Sequence, residues 1–295
     1  MLSTSRGSKL GAFGLLEWGL LSGVALSWGS AFLLIEVALE SVAPATITWG
    51  RITLGFLVLV ALPAARQPIE RRDYPRVALL GITWVGLPFL LFPIAQQHID
   101  SALAGMLNGM VPIFSASIAM ILMRALPRIP QAVGIALGVA GAIAISLPAV
   151  QESAASALGV LLIVVANVFY GLSHNLVVPL QQRYGAPAVM MRAIGVATVV
   201  TAPFGLAGLA DSQWTTGAAL AVIFMGAIQT GATFVVMTAL VGRVGATRGG
   251  VAIYFVPIVA MVLGVVFRSE IVLPIQWAGT AVVLFGAWLT SRREP

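Results

Sequence analysis

The sequence predicts an all-α integral membrane protein of ten transmembrane helices, built as two inverted five-helix repeats with both termini in the cytoplasm. Three observations lead to this fold class: an apolar composition, an alternation of basic and acidic loops, and an internal repeat. Of the 295 residues, 59% are hydrophobic and 9% are charged, with a mean hydropathy of +1.01. A soluble domain carries about 25% charged residues. Because so few charges cannot cover a surface in water, most of this surface is expected to face lipid.

Ten apolar stretches are long enough to cross a bilayer, which takes about 20 residues each. The polar start of the chain is similar to that of a signal peptide, but the apolar run that follows exceeds a signal core of about 7–15 residues. The first stretch is therefore predicted to be an uncleaved span. The ten stretches lie at about 15–39, 44–62, 74–97, 101–123, 130–147, 158–180, 187–209, 215–241, 247–267 and 274–290.

Basic residues give an independent test of the helix count, because cytoplasmic loops carry an excess of Lys and Arg. Thirteen basic residues precede the first span, lie in even-numbered loops or lie in the C-terminal tail, whereas the odd-numbered loops hold only Arg268. This alternation predicts that both termini are cytoplasmic. The thirteen are Arg6, Lys9, Arg66, Arg71, Arg72, Arg76, Arg124, Arg128, Arg183, Arg243, Arg248, Arg292 and Arg293, and the odd-numbered loops hold the acidic residues Glu40, Asp100, Glu152, Asp211 and Glu270.

An internal repeat divides the chain into residues 1–149 and 150–295. Residues 105–146 match residues 250–291 at a constant offset of 145, with a shared Val-Pro-Ile at 111–113 and 256–258. Since each half holds five spans, an odd number, the second half must enter the bilayer in the opposite orientation. Inverted repeats of this kind are typical of alternating-access carriers, so a carrier is favoured over a channel or a membrane enzyme.

Other classes of protein are disfavoured by what the chain lacks. It has no cysteine, and its two histidines, His98 and His174, stand without an HExxH motif or a carboxylate cluster. We therefore predict no metal, no cofactor and no enzymatic activity. The net charge of +6 does not indicate a nucleic-acid partner, because the basic residues are scattered through short loops and form no continuous basic face.

Several short motifs follow one another in a characteristic order along the whole chain. They are Trp28-Gly29-Ser30, Arg51, Pro112-Ile113-Phe114, Pro257-Ile258, Ser269-Glu270 and Trp277-Ala278-Gly279. In these motifs the chain resembles the EamA-type proteins of the drug/metabolite transporter superfamily, and among them most closely the bacterial YddG-type aromatic amino acid exporters. Arg124-Ala125 departs from the pattern, since a Gly-Glu-like pair is expected there. The resemblance implies a secondary transporter of the bacterial inner membrane that exports amino acids, aromatic ones included, and related small metabolites.

Polar and aromatic residues within the spans predict a central cavity for an amphipathic small molecule. Polar groups in spans usually face the interior of the bundle, and Asn167, Tyr170 and His174 share one helix face at spacings of i, i+3 and i+7. Trp28 and Trp84 lie in mid-span, where an interfacial aromatic belt does not account for them. Amides, hydroxyls and an imidazole can bind the polar groups of a substrate, and aromatic rings can pack its side chain. The predicted substrate-binding residues are Ser27, Trp28, Ser30, Trp84, Pro88, Phe92, Asn108, Pro112, Ser115, Asn167, Tyr170, His174, Gln229, Thr233, Tyr254 and Pro257.

Structural interpretations of the same residues stay open. Ser, Thr and Asn also bridge helices in membranes, and prolines also kink them. His174 is either a substrate contact or proton carrier, or a hydrogen-bonded structural residue, so proton coupling is left undecided. Glu36 is the expected partner of Arg51 near the outer face, Arg192 lies near the inner face, and the three are assigned to structure or gating.

Two further features narrow the prediction. The absence of a mid-span carboxylate disfavours the alternative function, efflux of cationic drugs or dyes, and the absence of a paired Lys/Arg cluster disfavours sugar phosphates. Small residues allow close helix packing in membranes, which assigns the fifth and tenth spans to the scaffold or to a dimer face and leaves monomer and homodimer both open. These small residues are Gly134, Gly138, Gly141, Gly279 and Gly286.

Overall fold

The computed structural model describes residues 13–124 and 126–291, and these residues form helices and short connections without any strand. Arg6, Lys9, Arg292 and Arg293, which contribute to the predicted charge alternation, lie outside the described residues, as does Ala125. The all-helical prediction is confirmed for the described part of the chain. The α-helices are α1 Leu15–Gly29, α2 Ala31–Leu39, α3 Pro44–Val60, α4 Tyr74–Leu80, α5 Leu87–Ala95, α6 Ser101–Asn108, α7 Val111–Met123, α8 Ile129–Glu152, α9 Ala154–Tyr184, α10 Ala186–Ala207, α11 Thr216–Ile223, α12 Thr233–Val244, α13 Ala246–Gly249, α14 Ala252–Arg268 and α15 Pro274–Ser291.

Seven continuous helical stretches of the described chain are long and apolar enough to cross a membrane, and two shorter helices, Pro44–Val60 and Ala252–Arg268, are also apolar. Large apolar side chains cover the outside of the bundle, as Val199 and Phe267 illustrate with exposures of 72% and 66%. Such a surface requires lipid rather than water around it. The seven stretches are Leu15–Leu39, Arg71–Ala95, Ser101–Met123, Ile129–Glu152, Ala154–Tyr184, Ala186–Asp211 and Thr216–Val241.

Four of these stretches depart from a regular α-helix in their interior. The first is interrupted at Ser30 and the third at Gly109–Met110. Wider π-helical turns lie at Gly81–Gly86, between α4 and α5, and at Phe224–Ala232, between α11 and α12. Such turns free backbone carbonyls and are frequent at functional sites.

The boundary between α8 and α9 differs from the sequence prediction, which placed a loop over residues 148–157. Only Ser153 separates the two helices, with an extended backbone at φ −159° and ψ 160°, and its hydroxyl accepts a hydrogen bond from the Ser156 amide. A serine N-cap satisfies a free amide of the first helical turn. Both helices therefore run longer than their apolar stretches.

The helices α8 and α15 pack along a seam of glycines. A Cβ on Gly134 would lie 2.7 Å from the Gly286 carbonyl oxygen, and one on Gly141 would lie 2.7 Å from the Gly279 carbonyl oxygen. The backbones are thus in direct contact, as in other glycine-mediated helix pairs in membranes.

Two backbone positions 145 residues apart share an unusual conformation. Arg124, which ends α7, has φ 51°, and Ser269, which ends α14, has φ 54°. Non-glycine residues seldom adopt the left-handed region outside helix ends. The two helices therefore end in the same way at equivalent positions of the repeat found in the sequence.

Ion pairs mark the two ends of the bundle. At the end where α1 begins, here the terminal face, Arg243 pairs with Glu17 at 2.7 Å and Arg183 pairs with Asp73 at 3.1 Å. At the other end, here called the opposite face, Arg268 pairs with acidic residues, and it is the only basic residue of the described chain that forms ion pairs at this end. The main buried apolar cluster lies towards the opposite face and includes Phe32.

Candidate functional site

A cavity of about 480 Å³ runs into the bundle from the terminal face. Its mouth is lined by Gln181, Ala186 and Val241, at the ends of α9, α10 and α12, and its deep end reaches Ile35 and Arg51. A volume of this size is within the range of small-molecule sites, about 300–1,000 Å³. The cavity therefore suits one small ligand.

Aromatic rings line the middle of the cavity. Phe234 of α12 lies edge-on to Trp28 and to Trp84, with ring centroids 5.6 and 5.9 Å apart. Trp84 also meets the His174 ring edge-on, at 5.7 Å. Edge-to-face pairs of this kind hold rings in fixed orientations, so the middle of the cavity offers a preformed apolar surface.

A second aromatic group lies at the deep end. The Phe92 ring stacks on Tyr170 with centroids 5.8 Å apart and meets Phe32 edge-on at 5.5 Å. The guanidinium carbon of Arg51 lies 4.1 Å from the centroid of Phe89. The deep end thus combines one cation with several rings.

Hydrogen bonds to residues at the end of α1 hold the side chain of Gln229 in place. Its Nε2 donates to the Ser27 carbonyl at 2.6 Å and to the Ser30 hydroxyl at 3.0 Å. Because a carbonyl can only accept, these bonds fix which end of the amide is the nitrogen. The Oε1 of Gln229 is buried with no hydrogen-bond partner among the described residues, and the same is true of Asn108 Oδ1.

Part of the predicted substrate-binding set lines the cavity, namely Trp28, Trp84, Phe92, Asn108, Tyr170, His174 and Gln229. The remainder lies behind the wall. Ser27 and Thr233 bond each other across α1 and α12 at 2.6 Å, and Ser30 donates to the Ser27 carbonyl. Such bonds position neighbouring helices.

Further predicted residues of the set form hydrogen bonds within the protein, although Asn167 Oδ1 has no partner among the described residues. Ser115 bonds His174 Nδ1 at 3.0 Å, and the buried Asn167 donates to the Leu107 carbonyl at 2.9 Å. The hydroxyl of Tyr254 bonds Ser291 at 2.7 Å. The predicted prolines belong to helices and are not in the cavity lining: Pro88, Pro112 and Pro257.

The expected pair between Glu36 and Arg51 does not form. Glu36 bonds Arg268 of α14 at 2.7 Å, and the same guanidinium bonds Glu40 at 2.6 Å. Arg51 instead donates its Nε to the Thr230 hydroxyl at 3.0 Å. The sequence suggested a partner close along the chain, whereas the partner that Glu36 has comes from the other half of the chain.

Arg192 forms hydrogen bonds with backbone carbonyls. Its guanidinium donates to the Ala65 carbonyl at 3.1 Å and to the Ala188 carbonyl at 3.0 Å. It thereby ties α10 to the connection after α3 and does not line the cavity.

Sequence reasoning missed much of the cavity wall. Gln181 continues the stripe of Asn167, Tyr170 and His174 one interval of seven residues further, so helical spacing could have found it. No comparable signal singles out the apolar residues, because every span is apolar. The missed apolar residues include Phe32, Ile35, Val85, Phe89, Val111, Val177, Val178, Phe234, Met237 and Val241.

At the opposite face, Glu270 bonds the start of α6 and, with Asp100 and Glu152, lines a second cavity of about 310 Å³. Its Oε1 accepts hydrogen bonds from the Ser101 amide at 3.1 Å and the Ser101 hydroxyl at 2.5 Å, and its Oε2 accepts one from the Ala102 amide at 2.7 Å. The carboxyl thus caps α6. Burial is the largest cause that raises the pKa of Glu270, the bonds from Ser101 and Ala102 lower it, the nearby Glu36 raises it, and the net value is about 7.

Among the described residues, no group of three or more His, Asp or Glu side chains could hold a metal ion. The structural features are those of a multi-pass membrane protein with an internal small-molecule cavity. A model of the EamA-like transporter family matches residues 17–147 and again residues 157–292. The chain therefore belongs to the EamA-like transporter family, within the drug/metabolite transporter superfamily, and is a membrane transporter.

Several known proteins are similar to this chain along most of its length. One is a probable terminal-alkyne amino-acid exporter of Streptantibioticus cattleyicolor, 27% identical over 94% of this chain and 93% of its own. Another is the uncharacterized inner membrane transporter YedA of Escherichia coli, 24% identical over 93% of this chain and 90% of its own. A solved crystal structure with 20% identity superposes with a TM-score of 0.58 and covers 91% of this chain and 98% of its own. This last similarity concerns the fold alone.

Proposed function

We propose that this protein is a secondary, alternating-access transporter that exports amino acids, aromatic ones included, and related small metabolites across the bacterial inner membrane. The observation that carries the proposal is the cavity of about 480 Å³, which is lined at the terminal face by Gln181 and Val241 and ends at Ile35 and Arg51, before the bonds of Arg268 and Glu270 at the opposite face. A cavity with access from one side is what alternating access requires of each state. Binding from one side and release on the other then needs a change of conformation.

The proposed architecture is ten transmembrane helices in two inverted halves, residues 1–149 and 150–295, with cytoplasmic termini. Support comes from the two successive matches of the family model. The glycine contacts agree with two equivalent halves. Gly279 and Gly286 lie 145 residues after Gly134 and Gly141, and the contact of Gly134 with Gly286 matches the contact of Gly141 with Gly279. With this orientation the terminal face is cytoplasmic, and the cavity is ready to load substrate from the cell interior.

The proposed cargo follows from the cavity lining. Trp28, Trp84 and Phe234 offer a ring-lined surface to an apolar or aromatic side chain. No described carboxylate lines this cavity, so a cationic drug or dye would have no counter-charge there. The name of the Streptantibioticus cattleyicolor relative, an amino-acid exporter, supports the same substrate class.

The proposed substrate contacts are the predicted residues that line the cavity, and the other predicted residues are proposed to hold the helices that carry them. His174 is the candidate for proton coupling, because it is the histidine of the described chain that lines the cavity. The contacts are Trp28, Trp84, Phe92, Asn108, Tyr170, His174 and Gln229.

The test is uptake into proteoliposomes containing the purified protein, with a panel of L-Phe, L-Trp, L-Met, L-Thr and a cationic dye. We expect saturable uptake of aromatic amino acids that is accelerated by unlabelled substrate on the other side. A carrier shows this counterflow and a channel does not. Transport of the dye alone, or of none of the panel, would contradict the proposal.

Two additional measurements complete this test. Repeating the assay with an imposed pH gradient decides whether protons are coupled to transport. Light scattering of the purified protein decides between monomer and homodimer.

A further inference from the structure

Arg51 is a buried cation in the cavity wall, without an acidic partner among the described residues. It lies at the middle of α3, about 10 Å along the helix from Pro44 at 1.5 Å per residue. Its exposure is 8% and it belongs to the cavity wall. No described carboxylate forms an ion pair with it.

Several arginines near the ends of the bundle form ion pairs with carboxylates of the protein itself. Arg268 bonds two glutamates, and Arg243 bonds Glu17. An unpaired charge taken from water into a low-dielectric interior costs several kcal/mol. Charged residues inside a membrane protein therefore mark functional positions by default. For Arg51, the missing anion is the feature that needs an explanation.

The surroundings of Arg51 hold its guanidinium in one plane. Its Nε donates to the Thr230 hydroxyl at 3.0 Å, and its Cζ lies 4.1 Å from the Phe89 centroid. Thr230 is itself fixed, because its hydroxyl donates to the Met225 carbonyl at 2.9 Å. The two terminal nitrogens donate to no described residue. A planar fork with both ends free matches a carboxylate, which can accept two parallel hydrogen bonds.

Groups that suit an ammonium lie in the same wall. Gln229, adjacent to Thr230, has a buried Oε1 without a hydrogen-bond partner among the described residues, and the same holds for Asn108 Oδ1. An amide oxygen can only accept hydrogen bonds, and an ammonium group can only donate them. The wall therefore presents a donor fork and free acceptors to a single ligand.

We propose that Arg51 binds the α-carboxylate of the transported amino acid at the deep end of the cavity, with the free amide oxygens of Asn108 and Gln229 accepting from its ammonium group. This inference rests on the proposed function and assigns its specificity: the substrate is a zwitterion with its carboxylate deepest. The apolar side chain then lies among the rings in the middle of the cavity.

The first test needs no variant. The experiment measures how strongly unlabelled L-Phe, its methyl ester and phenethylamine inhibit the uptake of labelled L-Phe into proteoliposomes. The ester and the amine lack the carboxylate charge. We expect both analogues to inhibit at least tenfold more weakly than L-Phe, a difference of about 1.4 kcal/mol. Equal inhibition by acid, ester and amine in an active protein would overturn the role of Arg51 while leaving the transport function in place. If the wild-type protein moves no amino acid, the proposed function itself fails.

The second test removes the charge with Arg51→Gln and uses Arg192→Gln as the matched control. Arg192 is also an arginine within a helix, but it bonds backbone carbonyls and lies outside the cavity wall. We expect Arg51→Gln to raise the concentration of L-Phe needed for half-maximal inhibition at least tenfold and to leave inhibition by the ester unchanged. The control should keep the wild-type preference for the acid. Equal loss of inhibition by acid and ester would assign Arg51 to structure. Should Arg51→Gln fail to give a monodisperse protein, the analogue comparison on the wild type decides alone.

Discussion

The glycine seam between α8 and α15 makes a stability prediction that can be worked out from backbone geometry. A Cβ added at Gly286 would lie 2.6 Å from the Gly134 carbonyl oxygen and 2.8 Å from the Gly138 amide nitrogen. Real Cβ atoms do not approach backbone atoms so closely, and neither backbone atom can rotate away. The two helices must therefore separate, and the packing along the seam is lost.

We expect Gly286→Ala to destabilise the protein by about 1–3 kcal/mol, the usual cost of inserting a methyl group into a packed interior. The matched control is Gly19→Ala, because Gly19 is also within a helix and a Cβ there meets nothing within 4 Å. Alanine favours a helix over glycine by about 0.5–1 kcal/mol, so the control should be unchanged or slightly more stable.

The measurement is thermal unfolding of both variants in detergent, followed by the loss of monodisperse protein on gel filtration. Gly141→Ala should behave like Gly286→Ala, because its Cβ would lie 2.7 Å from the Gly279 carbonyl oxygen. Equal midpoints for Gly286→Ala and Gly19→Ala would refute the argument that the seam is in backbone contact.

Three further results are expected. The pKa of Glu270 is about 7, above its ordinary value of 4.5 mainly because of burial, so folding takes up a proton there. The free energy of unfolding should therefore fall as the pH rises from about 5 to about 8. Glu270→Gln should flatten this slope, and an unchanged slope would assign the pH dependence to other groups. Arg268→Gln removes the Arg268 ion pairs and should loosen the opposite face. A cysteine introduced at Ile35 of this cysteine-free chain should then react faster with an impermeant thiol reagent applied from that side than it does when Arg268 is present. Equal reaction rates would exclude a role of Arg268 in closing this face. Trp84→Ala, which removes ring contacts to two neighbours, should lower transport severalfold at normal expression, whereas His98→Ala, outside the cavity wall, should not; wild-type transport by the Trp84 variant would remove that ring from the site.

Most helices could be predicted from the sequence, because an apolar run of membrane length has few other structures open to it. The interruptions inside the helices could not. The π-helical turns at Gly81–Gly86 and Phe224–Ala232 change which carbonyl each amide bonds, and this leaves the apolar character of the segment unchanged. The polar run Gln151-Glu152-Ser153 predicts a loop, but Ser153 alone separates α8 from α9 and its hydroxyl caps α9.

The candidate site was predictable only where a residue stood out from its surroundings. Trp84 and His174 are conspicuous in an apolar helix, and both line the cavity. Polar side chains such as Asn167 are just as conspicuous, yet Asn167 lies outside the cavity lining and its Nδ2 donates to a backbone carbonyl. The partner of Glu36 could not be found from the sequence, because Arg268 lies 232 residues away and reaches it only through the packing of α14 on α2.

The π-helical turns carry two cavity residues, Trp84 in one and Gln229 in the other. A π-helical turn holds more residues than an α-helical turn, so its conversion to α-helix would rotate the adjoining segment, by about 100° for each residue of change in register at 3.6 residues per turn. A rotation of that size exchanges one side-chain stripe for its neighbour. A shift of the hydrogen-bond register in each of these two helices would thus change which residues line the cavity. The backbone contact between α8 and α15 would not need to change.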